Sequence, residues 1–143
     1  MGNRLYGEYK HTIDKKKRMF LPSKIRNCLG ENIIMVKCLS SKCIAVYPEE
    51  EWERFEAKLD SLSELDGELV RRMIYSSMEI TQADAQGRIL VPVGLCEYAE
   101  LEREVIILGA GHRAEIWNEE NRAASAKEEN SPDLLAKLKE IGF

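Results

Sequence analysis

Histidine and cysteine are scarce in this sequence, and no pattern pairs them. The chain of 143 residues has two histidines and four cysteines. A zinc site would favour C-x-x-C pairs or nearby histidines, and Cys38 and Cys43 are too far apart for that motif. We therefore expect no metal site, and we predict that all four cysteines are reduced, structural thiols. They are Cys28, Cys38, Cys43 and Cys96.

Long apolar runs are also absent. The N-terminal segment MGNRLYGEYKH lacks the apolar stretch of a signal peptide, and no run approaches the length needed to cross a bilayer. Gly2 could suggest myristoylation, but Tyr6 stands where that motif needs Ser or Thr. We expect a cytoplasmic protein with no membrane partner.

Catalytic signatures are missing as well. The sequence has no Ser/His/Asp set, no H-E-x-x-H and no Walker motif. The segment LGAG at 108–111 follows an apolar run, but it lacks the third glycine of a dinucleotide loop, so a turn between strands is favoured. We predict that the protein is not an enzyme and needs no cofactor or small-molecule substrate.

Charge is present in both signs but is unevenly distributed. The net charge is −4, and 32% of the residues are charged. Residues 1–46 hold ten Lys or Arg and three Asp or Glu, a balance of +7, whereas the remainder holds 11 and 22, a balance of −11. This segregation predicts a basic surface near the N-terminus on an otherwise acidic protein.

One phrase occurs twice, seventy positions apart. IDKKKRMFLP at 13–22 matches ADAQGRILVP at 83–92, and the ungapped register continues for about forty positions. Each half is therefore one supersecondary unit used twice within one domain, or within two small halves that share a core. The recurring residues are Asp14, Arg18 and Pro22 in the first copy, and Asp84, Gly87, Arg88 and Pro92 in the second.

The pattern within each unit predicts strand, turn, strand, short helix, strand, turn and strand. Such a small unit leaves sheet edges exposed, so we expect the two copies to close one barrel-like core. Between the copies, Trp52, Phe55, Leu59 and Leu62 form one helical stripe, and a second helix is expected after Gly67.

The tail, SPDLLAKLKEIGF, predicts an amphipathic helix. Ser131 is the expected N-cap, Pro132 the first helical residue and Gly142 the stop. Its apolar face could dock on a neighbouring subunit or on the protein's own core, and the sequence does not separate the two.

The run Lys15, Lys16, Lys17 and Arg18 is the strongest candidate site. The simplest interpretation is a solvated charged turn. Its position in the motif of one copy alone favours instead a contact with a polyanion, because lysines reach phosphates and arginine also reads guanine. Asp14 and Asp84 each lie four residues before an arginine, which favours an ion pair or a turn cap over catalysis. His11 could touch phosphate or simply lie at the surface.

Four segments together resemble the MraZ family of bacterial regulators: GEYKHTIDKKKRMFLPSKIR, CIAVYPEEEW, ADAQGRILVPVGL and AEIW. The resemblance spans about residues 5–122. It implies a mixed, mainly β fold of tandem AbrB/SpoVT-like swapped-hairpin repeats that form a pseudo-twofold barrel. It also implies a nucleoid-associated repressor of the division and cell-wall gene cluster. Such a repressor would bind repeated promoter sites in double-stranded DNA as a ring-like homo-oligomer.

The resemblance also divides the chain and its motif residues. It places the first repeat at 5–51, a helical insert at 52–76, the second repeat at 77–122 and a helical tail at 123–143. Lys16 and Arg18 match DNA-contacting positions, whereas Asp14, Asp84 and Arg88 match more structural ones. Lys17 stands where the first motif usually has glycine, which raises the question of a differently shaped loop.

One alternative function remains open at this stage. Related swapped-hairpin folds also serve as antitoxins, which are protein-binding modules. That function usually needs a disordered tail, whereas this tail predicts a capped helix.

Overall fold

Each half of the chain forms the predicted series of elements and ends in two further helices. The structure, a computed structural model, describes residues 4–143. The strands are β1 Glu8–Thr12, β2 Arg18–Phe20, β3 Ile33–Lys37, β4 Ile44–Pro48, β5 Glu79–Thr81, β6 Arg88–Leu90, β7 Glu104–Gly109 and β8 Ala114–Asn118. The helices are α1 Ser23–Leu29, α2 Glu49–Leu59, α3 Glu64–Tyr75, α4 Val93–Tyr98, α5 Glu119–Glu128 and α6 Pro132–Glu140. The fold is thus mixed, with mainly antiparallel strands.

The two repeats build one sheet by exchanging strands. Six strands lie in the order β1-β7-β8-β4-β3-β5, and every neighbouring pair is antiparallel. The first strand of each repeat pairs with the third strand of the other, β1 with β7 and β5 with β3. Neither repeat therefore completes its part of the sheet alone.

The predicted closure into a barrel is wrong, because the sheet remains open. Its edges are β1 and β5, while β2 and β6 pair with each other as a separate two-stranded ribbon. A single bridge between Ile13 and Met19 links this ribbon to the end of β1. Pro22 and Pro92 each lie two residues after a ribbon strand and directly before α1 and α4. Because proline has no backbone N–H to donate, neither ribbon strand can continue and join the six-stranded sheet.

The central strands of the sheet are buried on both faces. In β3, Ile33 and Met35 pack on one face with the ribbon, α1 and α4, whereas Ile34 and Val36 pack on the other with α2 and α3. Alternate residues of a strand point to opposite faces, so a strand covered on both sides reads as a continuous apolar run. The ribbon is thus held by the core on its inner side only.

The helices between the repeats differ from the prediction at two boundaries. α2 buries Trp52 and Leu59, as its stripe predicts, but Leu62 lies beyond its end. α3 begins at Glu64, before Gly67, because the Ser63 side chain caps it by accepting a hydrogen bond from the Asp66 N–H. The expected start after Gly67 is therefore wrong by about one turn.

The C-terminal part contains one unexpected helix and one expected helix. α5 follows β8 directly, and its Arg122 is buried between Glu8 at 2.9 Å and Glu129 at 2.7 Å. α6 has the predicted cap, since Ser131 accepts from the Leu134 N–H, but it buries no residue in this chain. No helix among residues 4–143 is long and apolar enough to span a membrane.

Candidate nucleic-acid interface

The two repeated motifs form turns of the same geometry. In the first turn, Asp14 Oδ1 accepts hydrogen bonds from the backbone N–H groups of Lys16 and Arg18, both at 2.9 Å. Asp84 makes the same two bonds in the second turn, also at 2.9 Å. These bonds, above all the one from the arginine N–H, hold the pKa of both carboxyl groups below the usual value. Each aspartate therefore caps its turn as a carboxylate.

The same aspartates orient the arginines that follow them. Arg18 Nε donates to Asp14 Oδ2 at 3.1 Å, and Arg88 Nε donates to Asp84 Oδ2 at 2.9 Å. Within residues 4–143, no acceptor engages the Nη1 and Nη2 atoms of either arginine. Each guanidinium is thus fixed at one edge and keeps its terminal donors available, which suits bidentate recognition.

Strand register places both arginines on one side of the ribbon. Met19 and Ile89 face each other across it and are buried in the core. Since neighbouring residues of a strand point to opposite faces, the residues flanking this pair point outward. Two of them are apolar but exposed, Phe20 at 49% and Leu90 at 58%. We name the four outward residues the ribbon face: Arg18, Phe20, Arg88 and Leu90.

The basic turn lies at one end of the ribbon face. Lys15 and Lys16 are exposed and Lys17 is half-buried. No carboxylate in the described part of the chain lies within ion-pair distance of these three ammonium groups. The corresponding positions of the second turn carry no charge, so the side chains of the first turn make this end of the ribbon strongly positive.

Lys17 does not reshape its turn, although it replaces a glycine of the motif. Its φ is +64°, in the left-handed region, close to the +82° of Gly87. Its N–H donates to the Asp14 carbonyl at 3.0 Å, as the Gly87 N–H donates to the Asp84 carbonyl at 2.9 Å. The lysine therefore adopts a conformation that costs a residue with a Cβ about 1–2 kcal/mol.

Packing explains why a side chain is tolerated in one turn only. A Cβ on Gly87 would come within 2.4 Å of Arg26 Nη1. The residue seventy positions after Arg26 is the smaller Cys96, which lines a surface pocket together with Lys17. The first turn thus has room for a side chain, whereas in the second turn the Arg26 guanidinium would have to move to admit one.

Arg26 is a cation that the sequence analysis missed. It belongs to the first repeat, but its guanidinium packs against Gly87 of the second turn and donates to the Leu21 carbonyl at 3.0 Å. No carboxylate among residues 4–143 pairs with it. The second turn therefore has positive charge beside it, supplied by the other repeat, and only the exchange of strands between repeats reveals this.

Other candidate residues do not join the site. His11 lies in β1, in register with Val105. Asp14 and Asp84 are each engaged in their own turn. In the part of the chain that the structure describes, no group of three His, Cys, Asp or Glu side chains could hold a metal ion.

Comparison with known proteins agrees with this architecture. A family model described as "MraZ protein, putative antitoxin-like" matches residues 5–73 and 76–139. Similar proteins named "Transcriptional regulator MraZ" include one from Heliobacterium modesticaldum, 43% identical over 90% of this chain and 95% of its own length. Another, from Acetivibrio thermocellus, is 41% identical over 96% of this chain and 99% of its own. The family expected from the sequence is confirmed: the chain belongs to the MraZ family.

Proposed function

We propose that this protein is a sequence-specific, DNA-binding transcriptional regulator and that it meets double-stranded DNA with the ribbon face and the turn at 15–17. The observation that carries the proposal is the common orientation of Arg18 and Arg88. Both are buttressed by an aspartate, both keep free terminal donors, and both lie on one exposed face beside an unpaired lysine run. The names of its relatives, transcriptional regulators, support the same function.

The chemistry of the surface suits duplex DNA. Ammonium groups of the lysine turn neutralise phosphates, which supplies affinity without sequence preference. The major groove, about 12 Å wide, admits a two-stranded ribbon, where an arginine fork pairs with guanine and an apolar side chain contacts the thymine methyl group. Arg18 and Phe20 are placed for these two roles, and Arg26 would add a phosphate contact at the second turn.

The finer parts of the proposal follow the family resemblance. We infer that the exchange of first strands is the swapped-hairpin arrangement of AbrB/SpoVT-like repeats. The protein would act in the cytoplasm, on the nucleoid, as a repressor of the division and cell-wall gene cluster. It would bind repeated promoter sites as a homo-oligomeric ring, for which the exposed apolar side chains of α3 and α6 offer contact surface.

A matched pair of double variants tests the interface. The protein with Lys16→Ala and Arg18→Ala should lose specific binding to the repeat-containing promoter of its own gene cluster in a gel shift, while its circular dichroism stays unchanged. The control carries Arg54→Ala and Lys58→Ala on α2, which removes the same charge from another surface. Equal loss in both variants, or no loss in the first, would show that the ribbon face does not recognise DNA.

A second candidate is a protein-binding module of the antitoxin type. The description of the matching family favours it, and so does the apolar face that α6 leaves uncovered. This function predicts that the intact protein ignores promoter DNA in the same gel shift. If the unmodified protein retards the promoter fragment with no other protein present, the antitoxin type is rejected as the principal function.

A further inference from the structure

Two cysteines face each other at the end of the hairpin formed by β3 and β4. The last strand pair is Lys37 with Ile44, and the next residues outward stay in register, because the Cys38 N–H donates to the Cys43 carbonyl at 3.1 Å. Both side chains belong to the core cluster that α2 and α3 cover. They therefore lie on the same face of the sheet, the one opposite the ribbon.

This placement is compatible with a disulfide. Directly opposed residues of a hydrogen-bonded antiparallel pair have Cα atoms about 5.5 Å apart. Disulfides span Cα separations of about 4.4–6.8 Å. Cys38 and Cys43 make one of the two hydrogen bonds of such a pair, which places them near this range.

The surroundings of Cys38 favour its thiolate form. Its sulfur lies 3.6 Å from Arg113 Nη2 and 3.4 Å from the Ser40 hydroxyl. The Cys43 thiol, the Ser40 hydroxyl and the Arg113 guanidinium lower the pKa of Cys38 to about 5, although burial opposes them. The hydrogen bond to Cys38 and burial raise the pKa of Cys43, which therefore keeps its proton.

Arg113 is itself firmly held. It donates to Glu115 Oε2 at 2.7 Å and to the Tyr47 hydroxyl at 3.0 Å. The sulfur thus faces a fixed cation rather than a mobile surface side chain. No cation within residues 4–143 contacts Cys28, and burial raises the pKa of Cys96, although the nearby Lys17 acts in the opposite direction.

A cavity leads to the Cys38 sulfur. It has a volume of about 240 Å³ and lies between the sheet and the helices α2 and α3. This space admits a small peroxide, although Cys38 itself is only 4% exposed. Its walls are mainly apolar. The lining includes Val36, Cys38, Tyr47, Trp52, Phe55 and Arg113.

We propose that Cys38 and Cys43 form a peroxide-reactive dithiol, in which Cys38 attacks and Cys43 resolves. The Cys38 thiolate attacks one oxygen of a hydroperoxide, the O–O bond breaks, and the leaving alkoxide or hydroxide takes a proton from solvent. The Cys43 sulfur then attacks the sulfenic acid of Cys38, forming the disulfide and releasing water. Overall, two thiols and one hydroperoxide give one disulfide, one alcohol or water molecule from the leaving group, and one further water.

Peptide mapping of the intact protein tests this assignment directly. Trypsin cleaves after Lys42, so a disulfide would join two otherwise separate peptides, 38–42 and 43–54. After treatment with about one equivalent of hydrogen peroxide and alkylation, we expect the joined peptides to be the main oxidised product. Cys28 and Cys96 should remain alkylated. No joined peptide, or oxidation spread equally over all four cysteines, would overturn the proposal.

Two variants separate the roles of the two sulfurs. With Cys43→Ser, the sulfenic acid of Cys38 has no resolving partner, so dimedone should label residue 38. With Cys38→Ser, peroxide consumption should fall by at least about tenfold, because the low-pKa thiolate is gone. Cys28→Ser serves as the control and should change neither result. In the unmodified protein, dimedone labelling of Cys28 rather than Cys38 would refute the assignment. This result does not depend on the folding of a variant.

Discussion

Lys17 and Gly87 differ in charge but take similar left-handed backbone conformations in the two turns. Lys17 takes a left-handed conformation with φ +64°, and its backbone hydrogen bond matches that of Gly87. A lysine in that conformation is strained, but it adds a cation to the turn. Function and stability are therefore in conflict at this one position.

Exchanging the two residues between turns tests this conflict. Lys17→Gly should raise the free energy of unfolding by up to about 1 kcal/mol, since it removes the strain but adds chain entropy. Gly87→Lys should lower it by about 1 kcal/mol or more, because the new residue must adopt positive φ and its Cβ must displace the Arg26 guanidinium. Urea unfolding measures both. A loss of stability in Lys17→Gly would show that the lysine is not strained.

The capping aspartates predict a dependence of stability on acid pH. Their folded-state pKa values are lowered, so their contribution is complete above the unfolded value of about 3.9 and is lost as the pH falls through the folded value. As the pH falls below about 4, the wild type should therefore lose more stability than the variant with Asp14→Asn and Asp84→Asn. Parallel urea midpoints over that range would contradict the role of these carboxylates.

At the scale of elements, the repeat made most strands predictable, because alternating and continuous apolar runs recur at a fixed offset. Helix α5 was missed, since it has no apolar stripe and its one buried side chain is Arg122. The repeat nevertheless predicts this helix, because Glu119 lies seventy positions after Glu49, the first residue of α2.

Contacts that cross between repeats could not be predicted in the same way. The open sheet and the approach of Arg26 to Gly87 both depend on which repeat pairs with which. The pattern of a single unit does not contain that information. The candidate lysines were identifiable from charge and spacing, whereas the shared outward face of Arg18 and Arg88 required the register of the ribbon.

Helix α6 is capped and amphipathic but buries none of its side chains within its own chain. Its Leu134 and Leu138 are exposed and lie one turn apart. Leu134→Glu with Leu138→Glu should reduce the mass of the assembly in light scattering and leave circular dichroism unchanged, because only a contact between copies is lost. Lys137→Glu changes the charge of the same helix by the same amount and should have no effect. If both variants reduce the mass of the assembly equally, the change in charge and not the loss of an apolar contact is the cause.

At the scale of the whole molecule, exposed apolar side chains on two helices favour self-association. Leu65, Leu69 and Met73 of α3 are all exposed, as is the apolar face of α6. Burial of such surface against other copies would be favourable by about 25 cal/mol per Å². We predict a homo-oligomer larger than a dimer. Light scattering at micromolar concentration that gives a single chain of 16.4 kDa would contradict this.

An assembly of several chains changes how the protein would bind DNA. One turn with Lys15, Lys16, Lys17 and Arg18 reaches only a few phosphates, so a single copy should bind weakly. Copies held at fixed spacing would engage successive repeats of a promoter together, which raises the effective concentration of each later contact. Affinity should then depend on both salt and the number of repeats.

The salt dependence of DNA binding tests the central claim most directly. Each phosphate neutralised adds about −0.9 to the slope of log K against log salt concentration. With roughly two contacts per turn and three or four turns engaged, the slope should be on the order of −5 to −7 on DNA with several repeats. It should be shallower, and the binding weaker, on a single repeat. A slope near about −1, or equal affinity for one repeat and for several, would contradict the account and leave the lysine run as a solvated turn.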